Sequence, residues 1–173
     1  MARHAIARRP RPGRKAAPSP ARRSPVIEVR ADRLSGVGGL RTRLHRSAAR
    51  FLDTLDLDDV ELSVLLTTDA GIQDLNRRWR RKNTPTDVLS FPAGPPAPGA
   101  TGPLHLGDVI LSLDTARRQA RAHRRSLADE LDLYLAHGLL HLLGHDHHRR
   151  ADAERMAFLE SRLLGRPGMV PPR

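Results

Sequence analysis

The chain is organised around a short histidine-rich stretch, which reads His137-Gly138-Leu139-Leu140-His141-Leu142-Leu143-Gly144-His145-Asp146-His147. In a helix, residues i and i+4 lie on one face, so His137 and His141 can present their imidazoles to the same point. Gly144 can adopt the left-handed conformation that ends a helix and reverses the chain, which would bring His147 back toward that point. Three neutral imidazoles leave a tetrahedral zinc ion with one open position, where water is acidified to a pKa near ~7. The stretch therefore predicts a catalytic site with one Zn²⁺ per chain and the ligands His137, His141 and His147.

This stretch fits the long zinc-peptidase signature H-E-x-x-H-x-x-G-x-x-H at every position except one. Gly138 stands where the peptidases carry the Glu that takes a proton from the metal-bound water. The spacing therefore predicts the metal site without the peptidase activity. The alternative is a chance cluster of surface histidines. Five of the nine histidines fall between positions 137 and 148, which favours the metal site over chance.

Charge is concentrated at the start of the chain. Residues 1–24 carry eight basic side chains and no acidic one, so they supply +8 of the chain's net charge of +11. The same segment contains four prolines and few apolar residues, so it cannot bury enough surface to offset the entropy of ordering. We expect a disordered basic arm over 1–24, a globular domain over 25–166 and a flexible tail over 167–173. The arm could bind RNA phosphates, have no dedicated role, or form a transit peptide, which its prolines make less favourable.

Cysteine is absent, which excludes a disulfide scaffold and thiolate metal ligands. No apolar run is long enough to cross a membrane, and we expect a cytoplasmic protein.

From residue 25 the pattern alternates between short strands and amphipathic helices. Asp69 is predicted to cap the second helix, in which Ile72, Leu75 and Trp79 form a buried stripe. Ser126 is predicted to cap the helix that carries the first two histidines. The predicted strands are 26–29, 60–68, 88–91 and 106–112, and the predicted helices are 38–55, 69 onward, 114–123, 126 onward and 152–164. The pattern predicts an α+β or α/β fold with a single mixed sheet of about four strands, some of them parallel, packed with about five helices.

A second informative stretch runs from residue 75 to residue 92. Five cations surround one tryptophan within it, namely Arg77, Arg78, Arg80, Arg81 and Lys82. Guanidinium groups suit phosphate oxygens, although the same cations could simply complement the end of a helix dipole. The Thr-Pro-Thr-Asp sequence that follows, at 84–87, predicts a loop held in a fixed shape.

The two stretches together resemble the bacterial YbeY family of ribosomal-RNA maturation endoribonucleases. The family pattern H-G-x-L-H-L-x-G-[Y/H]-D-H matches 137–147, and N-x-x-[Y/W]-R-x-K-[D/N]-x-P-T-[D/N]-V-L-S-F matches 76–91. The sequence Gly-Asp-Val-Ile at 107–110 matches the strand between them, and the resemblance extends from about residue 26 to residue 165.

The resemblance implies a single-domain, zinc-dependent endoribonuclease specific for single strands. It would act in 16S rRNA 3′ end processing and ribosome quality control, with the small ribosomal subunit or assembly factors as partners and neither DNA nor a membrane. By position, the ligands are His137, His141 and His147, and the functional arginine is Arg80. His145 stands where many members have Tyr.

The resemblance does not assign the general base that RNA cleavage at this site would need. Asp146 could orient an imidazole, which is the commoner role for such a carboxylate, or act as the base. Asp87 and Asp108 are further candidates, although turn capping and strand-end bonding explain them more simply. Arg77, Arg78, Arg81 and Lys82 would bind RNA. Two alternatives remain, a noncatalytic rRNA-binding factor with a structural zinc and a zinc hydrolase of another substrate. With only five aromatic residues, the chain lacks the base-stacking platform of the common single-strand RNA-binding modules, so base-specific readout is not expected.

Overall fold

The computed structural model describes residues 23–146 and 149–165. The predicted arm up to residue 22, the predicted tail and His147 lie outside the described residues. The elements in chain order are β1 (Val26–Ala31), α1 (Gly38–Thr54), β2 (Val60–Thr67), α2 (Asp69–Arg80), β3 (Val88–Pro92), β4 (Leu104–Ser112), α3 (Leu113–Ala122), α4 (Leu127–Leu142) and α5 (Arg150–Leu163).

The four strands form one mixed sheet in the order β1-β2-β4-β3. β1, β2 and β4 are parallel, and β3 is antiparallel to β4 with Ser90 opposite Val109. β3 therefore forms one edge of the sheet and β1 the other. The predicted α+β fold with a four-stranded mixed sheet and five helices is confirmed.

The main core lies on one face of the sheet. Alternate residues of β2, such as Leu62 and Leu66, point to this face and are fully buried against α1 and α4. The opposite face carries a small cluster in which Ile72 of α2 packs with Leu89 and Ile110. The two faces of the sheet are therefore covered very unequally.

Helix α4 is central because nearly all of its circumference is apolar or buried. It begins at Ser126, whose hydroxyl accepts a hydrogen bond from the Asp129 N–H at 3.0 Å, as predicted. It packs against β3 and β4, the same strands that α2 contacts from the other side. This arrangement holds the end of α4 beside the edge strand β3.

Two predictions about α2 are wrong. Its N-cap is Thr68, whose Oγ1 accepts from the Gly71 N–H at 3.2 Å, and not Asp69. The Asp69 carboxylate instead accepts hydrogen bonds from the start of α3. Trp79 is not in the buried stripe but 70% exposed, because it lies on the last turn of α2 and lines an open groove rather than the packed cluster around Ile72. Several other boundaries differ from the predicted ones by one or two residues, which is usual for helix and strand ends.

Among the described residues, no helix combines the length and the apolar character needed to cross a bilayer.

Candidate functional site

The first two predicted ligands lie together on the last turns of α4. The Nε2 atoms of His137 and His141 are 3.0 Å apart, and the two rings are nearly perpendicular, at 89°. Two nitrogen ligands of a tetrahedral zinc, each ~2.0–2.1 Å from the metal, lie about 3.3 Å from each other. The spacing of the two nitrogens is therefore close to that of a shared metal.

A buried carboxylate fixes the orientation of the first imidazole. Glu160 of α5 is 2% exposed, and its Oε1 lies 2.6 Å from His137 Nδ1. A carboxylate acceptor at this distance favours the tautomer with the proton on Nδ1, so that Nε2 presents its lone pair toward His141. Histidines that bind metals typically donate their other ring N–H to a carboxylate in this way.

Helix α4 ends in a Schellman motif, which turns the chain back over the histidines. Gly144 has a φ of +82°, and its N–H donates to His141 O at 3.1 Å, while the His145 N–H donates to Leu140 O at 3.0 Å. The predicted left-handed turn at Gly144 is thus present. The turn places His145 and Asp146 in the wall of the histidine cleft, each partly buried.

The glycine after the first histidine lies directly on the sheet. A Cβ at Gly138 would come within 2.7 Å of Val109 Cγ1, 3.1 Å of Ser90 Oγ and 3.1 Å of Val88 Cγ2. The Ser90 hydroxyl also donates to Gly138 O at 3.0 Å. The position that carries the general base in zinc peptidases therefore faces the core here, where no side chain fits.

The histidines lie in an open cleft of about 620 Å³ between the end of α4 and the loop that joins α2 to β3. The loop and the end of α2 bring two cations to it, Arg80 and Lys82. Both are exposed, and in the described part of the chain no carboxylate lies within ion-pairing distance of either. The cleft thus combines an imidazole pair with positive charge available for an anion.

The loop is held in shape by side chains of α2. The buried Asn76 side chain donates to Thr84 O at 2.7 Å, and Gln73 donates to Asn83 O at 3.1 Å. At the far end, the Asp87 carboxylate accepts from the Val88 N–H at 2.9 Å. These hydrogen bonds agree with the prediction of a loop held in a fixed shape.

The other predicted RNA-binding cations lie outside the wall of the cleft. Arg77 and Arg78 pair with Asp74 at 2.7 and 3.4 Å on the exposed side of α2. Arg81 is the C-cap of α2, in the left-handed region with a φ of +59°. A part in RNA binding for these three arginines stays a prediction.

The two further aspartates lie on different faces of the sheet. Asp87 lines the cleft and caps the start of β3, whereas Asp108 lines a groove on the opposite face. Asp108 is therefore not among the residues that surround the histidines.

A smaller cavity of about 210 Å³ lies on the other side of His137. Its wall contains Tyr134. Burial raises the pKa of the Tyr134 hydroxyl above its ordinary value, and the neighbouring Glu130 carboxylate raises it further. Glu130 itself is 2% exposed and pairs with Arg125 at 3.3 Å. This wall keeps the hydroxyl of Tyr134 protonated beside the imidazole.

Sequence reasoning missed Glu160 and Ser90, both of which hold the α4 segment that bears the histidines. Glu160 lies on the buried face of α5, four residues after Met156 and three before Leu163. A lone carboxylate in such an apolar stripe was the signal that could have identified it, since buried carboxylates are paired.

The Nε2 atoms of His137 and His141 are placed so that they could supply two of the ligands of a metal ion. Glu160 fixes the ring of His137, and the nitrogen pair has a suitable separation. Within residues 23–146 and 149–165, no cluster of three His, Cys, Asp or Glu donors forms around them. His147, the predicted third ligand, lies outside this part of the chain.

Comparisons with known proteins identify similar sequences. A family model described as Endoribonuclease YbeY matches residues 39–168. An Endoribonuclease YbeY of Myxococcus xanthus is 58% identical over 123 residues, covering 71% of this chain and 42% of the relative. One from Anaeromyxobacter sp. is 57% identical over 128 residues, covering 74% and 65%. One from Thermus thermophilus is 44% identical over 126 residues, covering 73% and 90%. The match thus spans less than two thirds of the Myxococcus and Anaeromyxobacter relatives.

A solution structure of a Thermotoga maritima protein has a similar fold. Its TM-score is 0.54 at 23% sequence identity, and the match covers 81% of this chain and 90% of that one. At this identity the likeness concerns the fold alone.

Proposed function

The chain belongs to the YbeY endoribonuclease family, and from this we propose that it is a metal-dependent endoribonuclease that cuts single-stranded RNA. Its substrate would be ribosomal RNA during maturation, in particular the 3′ end of 16S rRNA, and its partners the small ribosomal subunit or assembly factors. Such a role would place it in the cytoplasm.

One observation carries this proposal. The nitrogen atoms of His137 and His141, 3.0 Å apart, share a cleft with Arg80 and Lys82. A histidine pair suits a divalent metal, and guanidinium and ammonium groups suit the phosphate that such a metal would activate. A phosphodiester backbone fits this combination better than a neutral substrate does.

The third ligand in this proposal is His147. The chain turns at Gly144 just three residues earlier, in the direction of the cleft. When bound, Zn²⁺ would supply a Lewis acid and lower the pKa of a water molecule to about 7.

The protein groups around the metal would have separate tasks. Arg80 would bind a nonbridging oxygen of the scissile phosphate and stabilise the negative charge that grows there. Glu160 would keep His137 in the tautomer that presents Nε2. Asp146, in the wall of the cleft, would orient an imidazole, and Lys82 would bind a neighbouring phosphate.

The proposal is tested by RNA cleavage with wild type, Arg80→Ala and Arg46→Ala proteins, each purified identically and checked for fold and zinc content. Arg46 is an exposed arginine of α1 that lies beside β1, at the other edge of the sheet from the cleft. The substitution Arg46→Ala therefore removes the same charge far from the cleft. We expect Arg80→Ala to cut about 100-fold more slowly than wild type, as for the loss of one transition-state donor, with normal zinc content. Arg46→Ala should cut like wild type.

Other outcomes contradict the proposal in distinct ways. Equal cleavage by all three proteins would remove Arg80 from the mechanism or assign the activity to a contaminant. RNA binding without cleavage by the zinc-loaded wild type would instead favour the noncatalytic binding factor.

A further inference from the structure

A second surface lies on the face of the sheet opposite the main core. It is an open groove of about 560 Å³ whose wall includes Trp79 and Phe91. The two rings contact edge to face, with centroids 6.0 Å apart. Trp79 is 70% exposed, so a large aromatic face is directed to solvent without cover from the described part of the chain.

In the described part of the chain, no helix covers the β2 side of the groove floor, where Ser63 and Leu65 are partly exposed. On the β4 side, Ile110 is buried beneath Ile72 of α2. Parallel strands are normally covered on both faces. The groove is therefore a place where a partner would replace missing packing.

The surroundings of the groove are basic. The last turn of α2 carries three arginines, Arg81 and Lys82 follow it, and Asp74 is the acidic residue that pairs with two of them. Arg30 of β1 lies on the opposite side of the groove and pairs with Glu28 at 2.8 Å on the exposed surface. This charge is complementary to a polyanion.

The groove and the histidine cleft are joined at the edge of the sheet. Side chains of a strand alternate between faces, so Ser90 of β3 points to the cleft and Phe91 to the groove. On α2, Arg80 lines the cleft while its neighbour Trp79 lines the groove, because consecutive side chains of a helix point about 100° apart. A strand of RNA bound at Arg80 would need only to pass the edge of the sheet to reach the indole.

We propose that Trp79, with Phe91 behind it, is a stacking platform for a base of single-stranded RNA that flanks the bond being cut. This inference rests on the proposed function and adds a binding site on the face of the sheet that the histidines do not occupy. Aromatic side chains between cations are a common way to bind single strands without sequence preference.

The chemistry of the groove selects the base rather than the phosphate. Its floor is apolar and contains one carboxylate, Asp108, which would repel a phosphate but accept a hydrogen bond from the amino group of a base. The cations lie at the rim, where the phosphates would remain in solvent.

The test uses the fluorescence of Trp79, which is the single tryptophan of the chain. Full-length protein is titrated with a short oligoadenylate and, separately, with inorganic polyphosphate of equal charge, and a gel verifies that the RNA stays intact. Stacking of a base on the indole should quench the emission with RNA, whereas polyphosphate should bind without quenching. Absent quenching at saturating RNA, or equal quenching by polyphosphate, would overturn the platform.

Variants provide an independent readout by anisotropy of labelled RNA. Trp79→Ala should bind oligoadenylate about 5- to 150-fold more weakly, the range for loss of one stacked base, and Trp79→Phe should lie between it and wild type. The matched control is Phe158→Ala, which removes an aromatic side chain that is 57% exposed on α5. It should bind like wild type.

The platform and the proposed function fail separately. If wild type cuts RNA and Trp79→Ala binds it equally well, the platform is wrong and the enzyme stands. If wild type neither binds nor cuts RNA, the proposed function is wrong, and the platform that rests on it is wrong as well. Sedimentation that shows a dimer of wild type, lost in Trp79→Ala, would assign the groove to a second copy of the chain instead.

Discussion

The histidine-rich sequence departs from the long zinc-peptidase signature at one residue, Gly138. The sequence shows only that Gly138 replaces the expected Glu, whereas the structure supplies the reason, since the position faces β3 and β4 at contact distance. In the proposed mechanism the general base would therefore come from another element, and a Glu at position 138 would disturb the packing.

We predict that Gly138→Ala lowers the free energy of unfolding by about 1–3 kcal/mol, the usual cost of overpacking a core. The added methyl group would meet Val109 Cγ1 at 2.7 Å and push α4 away from the sheet. Urea denaturation followed by circular dichroism measures the change. The control is Gly39→Ala in α1, where nothing lies within 4 Å of the new Cβ. That variant should be neutral or more stable by up to about 1 kcal/mol, and equal losses in both would contradict the packing argument.

A second prediction concerns the carboxylate behind His137. Glu160→Gln keeps the shape of the side chain but weakens the hydrogen bond to Nδ1, so the affinity for Zn²⁺ should fall about 10- to 100-fold. Competition with a chromophoric chelator measures this affinity in the absence of RNA. Glu154→Gln on the exposed side of α5, where Glu154 pairs with Arg150, should leave it unchanged. Equal affinities in all three proteins would remove Glu160 from the metal site.

At the level of elements, one carboxylate joins the beginnings of α2 and α3. Asp69 accepts hydrogen bonds from Ser112 and Thr115 at 2.5 and 2.7 Å and from Arg118 at 2.6 Å. Burial raises the pKa of Asp69, but these hydrogen bonds outweigh burial and hold the pKa below its usual range. A carboxylate with a lowered pKa stabilises the fold above its unfolded pKa of about 3.9, and this contribution is lost as pH falls through the folded value.

Asp69→Asn should therefore be less stable than wild type at pH 7, and the difference should narrow as the pH falls below about 3.9. Urea denaturation at pH 7 and at lower pH measures both values. Asp74→Asn removes an exposed carboxylate of the same helix, and it should have little effect at pH 7, as for a surface ion pair. A constant difference between wild type and Asp69→Asn across this range would contradict the role given to the charge.

The sequence predicts the elements well because hydrophobic periodicity is a local property. The helix with the histidines, its Ser126 cap and the turn at Gly144 could all be predicted from neighbours along the chain. Trp79 could not, because its exposure depends on where α2 ends relative to the sheet. The partner of Asp69 likewise lies more than forty residues away, which local patterns do not encode.

The cations at the end of α2 also take positions that the local sequence does not encode. Sequence places five cations around Trp79 without distinguishing them, and the structure assigns Arg80 and Lys82 to the cleft and Arg77 and Arg78 to Asp74. The difference comes from the helical period and from the αL conformation at the end of the helix, which together direct neighbouring side chains to different sides.

On the scale of the whole molecule, the proposed site is assembled where β3, the end of α4, α5 and the loop before β3 meet. The histidines and their carboxylate partner come from two helices separated in sequence, whereas the cations come from the opposite side of the cleft. The sheet holds both sets in place, since α2 packs over one face and α4 over the other. The geometry of the proposed site is thus a property of the packed domain rather than of any single motif.

The basic segment before this domain is expected to set part of the salt dependence of RNA binding. Residues 1–22 contain seven basic side chains and no acidic one, and they precede the first strand of the sheet. If these cations bind RNA phosphates, a chain that begins at Arg23 should fold normally but bind single-stranded RNA with a smaller dependence on salt. The slope of log K against log salt should fall in magnitude by up to about 5, because each neutralised phosphate of a single strand contributes about 0.7.

A full-length variant with these seven residues replaced by Gln keeps the length of the segment and should show the same decrease in slope. If both proteins retain the wild-type slope, the segment makes no phosphate contacts, and the cations around the cleft and the groove carry the electrostatic part of binding alone.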